Sequence, residues 1–566
     1  MNLILTERRR SNNARVHNLA ACGLLLCGIM WFAVFSAWSA PAPAQSAEAE
    51  AINARMEALQ AGEALAIGGT SIAAWQLLPR LYASRSFMPL WPDEKRIAEL
   101  LALLETAPQH GLDTADYGLE SLRSVLARAT LSGNSFDLAD LDILATEALV
   151  RFGYHLRFGK VNPASQDAHI NFRRELLRNP LQSIPALIDS PLPLAEQFAA
   201  NFPFGPIYRS LQRVLADYVA LEAAGGWPAV GTGPSLHPGD TDSRLPSLRA
   251  RLRVTGELSG SADHAGDNYD AALVEAVRMF QRRHGLDDDG VVGAQTIAAA
   301  NVSVQARIDQ LRLSLERLRW VQKETGDDFL VVNIAGFRAF LFRDGVQIWN
   351  SRVMVGTPYR QTPVFRDDIR YLEINPTWTV PPTILTKDIL PRVKTDPGYL
   401  DRQNIQVIDR EGRIVDPATI DWSRYTRGVP YTLRQQPGPG NALGRVKFMF
   451  PNEHLVFVHD TPSRTLFGRA ERAFSSGCIR LERPFELAEL LLNDMDEWNA
   501  EKIEAVVAGG KTRRVNLPKP EPILILYLTA SIDADDRPVF FRDVYERDAR
   551  LLAALNGPVA IDLPGI

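Results

Sequence analysis

The spacing of apolar residues changes near Asp328, and this change limits the chain to folds with separate helical and β-rich parts. Before this point apolar residues recur at three- and four-residue steps, as in Leu138–Leu156 and Tyr208–Ala223, which predicts amphipathic helices. After it, runs such as Phe329–Ile334 and Val346–Val355 are β-rich, which predicts strands. A chain of 566 residues is too long for one hydrophobic core. We therefore predict a multidomain α+β protein.

Composition narrows the class of protein. Hydrophobic residues make up 46% of the chain and charged residues 23%, which is ordinary for globular domains. The formal net charge is −5, so no overall positive field attracts nucleic acid, and we expect no nucleic-acid partner.

Residues 1–44 have the features of an export segment. Arg8–Arg10 precede an apolar run, Leu19–Trp38, and the small residues Ala42–Ala44 fit a signal-peptidase site. The run is also nearly long enough to cross a hydrocarbon layer of ~30 Å. The segment is therefore predicted to be either a cleaved signal peptide or a membrane anchor.

Cys478 is the one cysteine outside that export segment, which holds Cys22 and Cys27. Exported proteins usually pair their cysteines in disulfides, so a single thiol is unusual unless the free thiol is used. A thiol becomes a strong nucleophile as thiolate, which requires a base or a positive environment nearby.

His459 is the candidate base, because it ends an apolar run, Leu455–Val458, that predicts a buried strand. The chain between His459 and the thiol must fold back for the two to meet. Ser476 and Gly477 directly precede Cys478. A glycine lets the backbone turn sharply and present amide N–H groups beside the sulfur.

The segments His459–Pro462 and Ser475–Leu481 together resemble the signature of the L,D-transpeptidases, which have a YkuD-type catalytic domain, and in particular their large multidomain Gram-negative branch. The resemblance implies a cysteine-dependent acyltransferase with Cys478 as nucleophile and His459 as base. It implies that the backbone carbonyl of Asp460 orients the histidine. The amides of Gly477 and Cys478 are then the expected oxyanion donors, and Ser476 either holds the loop or contacts substrate.

A second resemblance lies upstream of the strands. The segments Ala276–Leu286 and Asp289–Gly293 closely resemble the peptidoglycan-binding domain of cell-wall hydrolases. The implied unit has three helices, with the Asp-Gly turn fixing two of them together.

These patterns predict the following order of domains: a helical N-terminal scaffold domain at 45–240, a small three-helix peptidoglycan-binding domain at 241–303, a mainly-β L,D-transpeptidase catalytic domain at 327–510 with an inserted cap subdomain at 378–440, and a C-terminal β extension at 511–566. Within this scheme Ile503–Val507 is predicted to be the last strand of the catalytic domain. A hairpin of Pro522–Thr529 with Val539–Phe541 is predicted to extend its sheet.

Substrate contacts are predicted beside the nucleophile and in the cap. Arg480 lies two residues after the nucleophile, where it could lower the thiol pKa or bind a carboxylate of the stem peptide. Trp378, Tyr425 and Arg427 of the cap are predicted to face the substrate. No Cys/His metal-ligand spacing stands out, so neither a metal nor an organic cofactor is expected.

The resemblance also implies the substrate, peptidoglycan stem peptides on their glycan, and a periplasmic location, either secreted or held at the inner membrane. The implied reaction transfers a tetrapeptide stem to another stem, giving a 3→3 cross-link. Other acceptors stay open: water, a free D-amino acid or a lipoprotein lysine. A non-catalytic cell-wall-binding scaffold is the remaining alternative.

Overall fold

The computed structural model describes residues 46–172, 179–259, 266–322, 324, 326–426, 428–493, 497–559 and 561. The predicted export segment, 1–44, lies outside these residues. Among the helices that are described, none has the length and apolar character needed to cross a membrane.

The N-terminal part is mainly helical, as predicted, with one short hairpin of β1 (Ala66–Ile67) and β2 (Thr70–Ser71). Its helices are α1 (Ala47–Gln60), α2 (Leu78–Ala83), α3 (Glu94–Leu104), α4 (Leu119–Ser132), α5 (Ser135–Phe158), α6 (Pro163–Gln166), α7 (Pro180–Ile188), α8 (Leu194–Asn201) and α9 (Pro206–Ala223).

Helix α5 is the centre of this part and is capped by Asn134, whose side chain accepts a hydrogen bond from the Asp137 N–H. It is buried on most of its surface, and it carries a buried acid, Asp142. That carboxyl accepts hydrogen bonds from the N–H groups of Leu90 and Trp91. Burial nevertheless raises the pKa of Asp142 to about 6.

Three helices form the next unit: α10 (Leu245–Val254), α11 (Ala271–Arg283) and α12 (Ala294–Ala300). They enclose a hydrophobic cluster of their own. The Gln281 side chain on α11 bonds to the Asp289 carboxylate and accepts from the Gly290 N–H, at 3.0 and 2.9 Å. These bonds fix the Asp-Gly turn to α11, as the pattern of a small three-helix unit requires.

Helix α13 (Val304–Val321) connects this unit to the strands and joins the helical part to the β part. Its residues Trp320 and Val321 belong to one hydrophobic cluster shared by both parts. Glu316 and Arg319 on α13 form an ion pair whose side chains are both 0% exposed. Glu316 also accepts the Val161 N–H from the helical part, at 2.8 Å. The two parts are therefore packed as one body.

The β part is a closed sheet of nine described strands in the order β13-β5-β14-β12-β11-β6-β15-β3-β4, where β4 also pairs with β5. Its strands are β3 (Phe329–Asn333), β4 (Arg338–Arg343), β5 (Val346–Gly356), β6 (Phe365–Ile374), β11 (Val446–Met449), β12 (Val458–His459), β13 (Ala473–Ser475), β14 (Ile479–Leu481) and β15 (Arg513–Leu526). Closure removes the free edges that an open sheet would expose.

Strand β15 belongs to the predicted C-terminal β extension, 511–566, but it is not an addition at the edge of the sheet. It lies inside the sheet, antiparallel to β6 and parallel to β3. A continuous apolar run such as Ile523–Leu528 predicts a buried strand, but it does not identify the strands beside it, and the pairing partners lie far away in sequence. The C-terminal segment therefore completes the barrel.

Two further predictions near the C-terminus are wrong. Ile503–Val507 belongs to a helix, α18 (Ala500–Ala508), which follows α17 (Pro484–Leu492). The predicted hairpin instead joins β16 (Ala530–Ile532) and β17 (Pro538–Phe540) in a separate two-stranded sheet, before the last helix, α19 (Asp548–Leu555).

The insertion between β6 and β11, which we call the cap, has its own hydrophobic cluster and a four-stranded sheet in the order β7-β10-β8-β9. Its elements are β7 (Trp378–Thr379), α14 (Pro382–Ile384), a π-helical turn (Leu385–Ile389), α15 (Leu390–Thr395), α16 (Tyr399–Arg402), β8 (Ile405–Ile408), β9 (Ile414–Val415) and β10 (Thr432–Gln435). Because β7 and β10 pair, the cap leaves and rejoins the barrel at neighbouring points.

Candidate active site

The predicted base ends one short strand, and the predicted nucleophile directly precedes the parallel strand beside it. In the register of β12 and β14, His459 lies opposite Arg480 and Val458 opposite Ile479. Cys478 directly precedes β14, so it is on the same face as Arg480 and His459. The Ile479 N–H donates to the Phe457 carbonyl at 2.8 Å, which holds the thiol beside the end of β12. The thiol itself is 3.9 Å from the Leu455 carbonyl oxygen.

His459 is buried and its ring is oriented by the backbone. Nδ1–H donates a hydrogen bond to the Asp460 carbonyl, which leaves Nε2 to accept a proton. The Asp460 carboxylate in turn accepts the Arg445 N–H at 2.9 Å. Gly444 packs against that carboxylate with φ +64°, and an added Cβ would come within 2.4 Å of it. Only glycine fits there, so Gly444 helps to place Asp460.

Burial keeps both reactive groups neutral. It lowers the pKa of His459 to about 3, and the positive charges of Arg480 and Lys447 act in the same direction. Burial raises the pKa of the Cys478 thiol, while a hydrogen bond from Phe457 and the charges of Lys447 and Arg480 partly oppose the rise. The resting pair is therefore a thiol and a neutral imidazole.

Lys447 is a site residue that the sequence analysis missed. It is the register partner of His459 on β11, and its ammonium group lies 3.8 Å from the centre of the Phe457 ring. Burial lowers its pKa, and the Glu373 carboxylate and Cys478 oppose that change. A lysine that alternates with apolar residues, as in Val446–Met449, is typical of a side chain that faces solvent. The pairing of β11 with β12 was needed to show that Lys447 lies beside His459.

Ser475, rather than Ser476, holds the turn before the nucleophile. Its hydroxyl donates to the Cys478 carbonyl at 2.5 Å and accepts the Gly477 N–H at 3.1 Å. Gly477 has φ +117°, which side-chain-bearing residues rarely adopt. The Gly477 N–H that we expected to bind the oxyanion is therefore already used, which leaves the Cys478 N–H as the candidate donor.

A buried threonine braces the same turn from below. Thr362 Oγ1 donates to the Gly477 carbonyl at 2.8 Å and accepts the Gly356 N–H at 2.9 Å. Tyr545, from the C-terminal segment, donates to the Gly356 carbonyl at 2.6 Å. The turn that carries Cys478 is thus supported by residues far away in sequence.

Ser476 is exposed and connects the turn to the cap. Its hydroxyl accepts from Arg360 Nη1 at 2.8 Å, and Arg360 also pairs with the Asp388 carboxylate of the cap at 2.7 Å. Arg360 therefore links the cap to the residue two positions before the nucleophile. This bridge can couple the cap to the turn.

The residues that were predicted to contact substrate differ in their surroundings. Arg480 is half-buried, and among the described residues its Nε has no hydrogen-bond partner. Trp378 and Tyr425 pack against the hydrophobic cluster of the cap, which gives each a structural role there. Arg427 lies outside the described residues.

A cleft of about 530 Å³ opens beyond the end of β12 and is lined by Asp460, Arg464 and Glu482, among others. Cys478 is not one of its lining residues, and Arg464 and Asp460 already pair at 3.3 Å. This cleft therefore lies beside the face that carries Cys478 and His459 and does not include the predicted nucleophile.

Three segments of the chain match models of known protein families. Residues 327–509 match the L,D-transpeptidase catalytic domain, YkuD. Residues 241–300 match the model described as "Putative peptidoglycan binding domain". Residues 76–215 match a scaffold domain.

A curated protein of Haemophilus influenzae, named "Putative L,D-transpeptidase", is 37% identical over 256 residues, which cover 45% of this chain and 51% of that protein. The chain thus spans about half the length of the curated relative it matches.

Among solved structures, an L,D-transpeptidase from Xylanimonas cellulosilytica is 16% identical, covers 52% of this chain and 99% of its own, and has a TM-score of 0.18. One from Stackebrandtia nassauensis is 12% identical, covers 53% and 96%, and has a TM-score of 0.20. On the family matches, the barrel part of the chain is an L,D-transpeptidase catalytic domain of the YkuD type, accompanied by a peptidoglycan-binding domain.

Proposed function

We propose that this protein forms 3→3 cross-links between peptidoglycan stem peptides through a thioester on Cys478. The observation that carries the proposal is the pairing of β12 with β14, which puts Cys478 and a backbone-oriented, neutral His459 on one face. The catalytic-domain and peptidoglycan-binding-domain matches support peptidoglycan as the substrate.

The proposed donor step begins with the thiol turning from the Leu455 carbonyl towards His459 Nε2. As that nitrogen takes the proton, the sulfur attacks the carbonyl carbon between the third residue of a tetrapeptide stem and its terminal D-alanine. The Cys478 N–H stabilises the oxyanion. D-Alanine leaves with the proton on its amine, and a thioester remains.

In the acceptor step the side-chain amine of a second stem attacks the thioester carbon. Its proton passes to His459 and then to the departing sulfur, so the free thiol re-forms and an amide bond links the two stems. We propose the periplasm as the place of this reaction, because residues 1–44 have the features of an export segment.

Two measurements test the proposal. Intact-mass analysis after incubation with a carbapenem should show one covalent adduct, lost in Cys478→Ala. The His459→Ala variant should acylate about 10²–10⁴-fold more slowly, because general-base catalysis contributes that much. His237→Ala, which removes an exposed histidine just before the peptidoglycan-binding segment, is the matched control and should react like wild type.

Purified protein added to tetrapeptide-rich peptidoglycan should then yield 3→3 dimers. Tripeptides without dimers would show that water is the acceptor and would overturn the transpeptidase assignment. An adduct that persists in Cys478→Ala would overturn the nucleophile.

A further inference from the structure

A cluster of three potential metal ligands lies where the helical part meets the barrel, outside the site described above. It consists of His169, from the segment after α6, and Glu453 and His454, from the loop between β11 and β12. One ligand atom of each residue lies within 4.8 Å of the others. The two histidines are 285 positions apart in the chain, so the grouping exists only in the folded protein.

Contacts with the barrel fix the positions of both histidines. Asn171, two residues after His169, exchanges two hydrogen bonds of 2.9 Å with the backbone of Arg366 at the start of β6. The His454 ring packs edge-on against the buried ring of Phe365, with centroids 4.8 Å apart. The two imidazoles therefore meet, edge to face, with centroids 4.7 Å apart.

The ligand atoms are also available. Within the part of the chain that the structure describes, the ring nitrogens of His169 and His454 and the Glu453 carboxylate make no hydrogen bond or ion pair. Of the acids nearby, Asp167 pairs with Arg547 at 3.3 Å.

We propose that His169, His454 and Glu453 bind a zinc ion that ties the helical part to the loop before the catalytic histidine. Two imidazoles and a carboxylate are a common zinc ligand set, completed by water. Zinc bonds of about 2.0–2.1 Å place tetrahedral ligands about 3.4 Å apart, so the side chains must close by about 1.4 Å. His169 and Glu453 are exposed, so a change of rotamer is enough.

The site adjoins the nucleophile through one residue. Leu455 follows His454, has φ +54° and offers its carbonyl to the Cys478 thiol. A left-handed conformation is strained for a branched side chain, so it persists only where neighbouring contacts hold it. Asn452 already closes this loop by hydrogen bonds to Phe450 and Val456. A zinc ion on His454 adds a second restraint, from the helical part.

The first test measures zinc binding in a Cys478→Ala protein, which removes the thiol as a competing ligand and makes the result independent of activity. Equilibrium dialysis should give one zinc ion per chain. His169→Ala, His454→Ala and Glu453→Gln should each weaken binding at least tenfold, and the exposed-histidine control His237→Ala should not. Absence of binding, or equal binding by His169→Ala, would overturn the site.

The second test addresses the tie between the two parts. Hydrogen exchange at residues 451–457 should slow when zinc is added to the wild-type protein and stay unchanged in His169→Ala. If zinc bound without slowing exchange there, the proposed restraint of the loop would be wrong. A Co²⁺ complex that shows thiolate-to-metal charge transfer in the wild-type protein would instead place the metal at Cys478.

Discussion

Burial sets the protonation of Cys478 and His459 more strongly than the cations around them. Lys447 and Arg480 favour the thiolate, yet the pKa of Cys478 is raised. The same burial and the same cations lower the pKa of His459 to about 3. A preformed thiolate–imidazolium pair is therefore disfavoured, and the proton must move during the attack itself.

This protonation state predicts the pH dependence of acylation. His459 stays neutral down to about pH 3, so it remains a competent base across the mildly acidic range. The rate constant of carbapenem acylation should therefore show no inflection between pH 5 and the ordinary histidine pKa of about 6.5, and should rise only at alkaline pH as the thiol ionises. Stopped-flow measurements of acylation check this. An acid limb with a midpoint near 6.5 would contradict it.

A second prediction at this scale concerns Lys447. Replacing it with Met keeps the side chain long and apolar over Phe457 but removes the charge that favours the thiolate. The thiol pKa should rise, and the pH dependence of alkylation by iodoacetamide measures it. Lys502→Met, on the exposed surface of α18, is the matched control. A purely structural role would leave the thiol pKa where it is.

Among the elements, the cap is a separate unit that Arg360 links to the turn before Cys478. Its hydrophobic cluster is separate from that of the barrel, and Thr379 of β7 pairs directly with Arg434 of β10. Arg360, in the loop between β5 and β6, joins the cap to Ser476. We therefore expect the cap to restrict access to Cys478 without being required for the barrel to fold.

Replacing residues 380–433 with Asn-Gly should test this role. The two paired ends suit a two-residue hairpin turn, so the barrel should fold and carbapenems should still acylate Cys478. Loss of the cap should admit water to the thioester, and tripeptide should increase severalfold relative to cross-linked dimer. Asp388→Asn, which breaks only the contact with Arg360, is the control. An unchanged ratio would show that the insertion is not a substrate cap.

At the scale of the whole molecule, the C-terminal segment and helix α13 make the parts one body. Strand β15 fills the sheet between β6 and β3, and Tyr545 braces the turn before the nucleophile. The buried side chains of Glu316 and Arg319 on α13 form hydrogen bonds with the backbone of the helical part. A catalytic domain that ended at residue 510 would therefore lack an interior strand of its sheet.

Truncation after Gly510 should abolish folding of the barrel, because it removes an interior strand and leaves β6 and β3 without their shared partner. Truncation after Gly557, beyond α19, should leave a folded protein. Circular dichroism during heating distinguishes the two, since only the second should show a cooperative transition. A cooperative, wild-type-like transition in the shorter protein would contradict the interior role of β15.

Local signals explain what could be predicted without the structure. Cys478 and His459 were found because the unpaired thiol, the preceding glycine and the apolar strand before the histidine all lie within one short stretch. The three-helix unit was equally visible, since its helices and Asp-Gly turn are contiguous. The fold class also followed, because the period of apolar residues distinguishes helices from strands.

Short apolar runs were the first limit of such reasoning. Ile503–Val507 is too short for the period of its apolar residues to separate a strand from a helix. In the structure the Asn499 side chain accepts the Lys502 N–H and stabilises the start of α18. Sequence pattern also could not tell which strands pair. The register of a strand depends on partner strands that can lie anywhere in the chain. The pairing with β6 places β15 inside the barrel, where the sequence had indicated only an extension.

The local pattern of residues was enough to predict a nucleophile and its base and to identify the kinds of domain, because each depends on residues close together in the chain. The folded structure was needed to show that Lys447 pairs in register with His459, that Ser475 takes the Gly477 N–H, and that Tyr545 reaches Gly356, 189 positions away. Such contacts come from the closure of the barrel and its packing against the helical part. The local sequence pattern does not predict contacts between residues that become neighbours only when the chain folds.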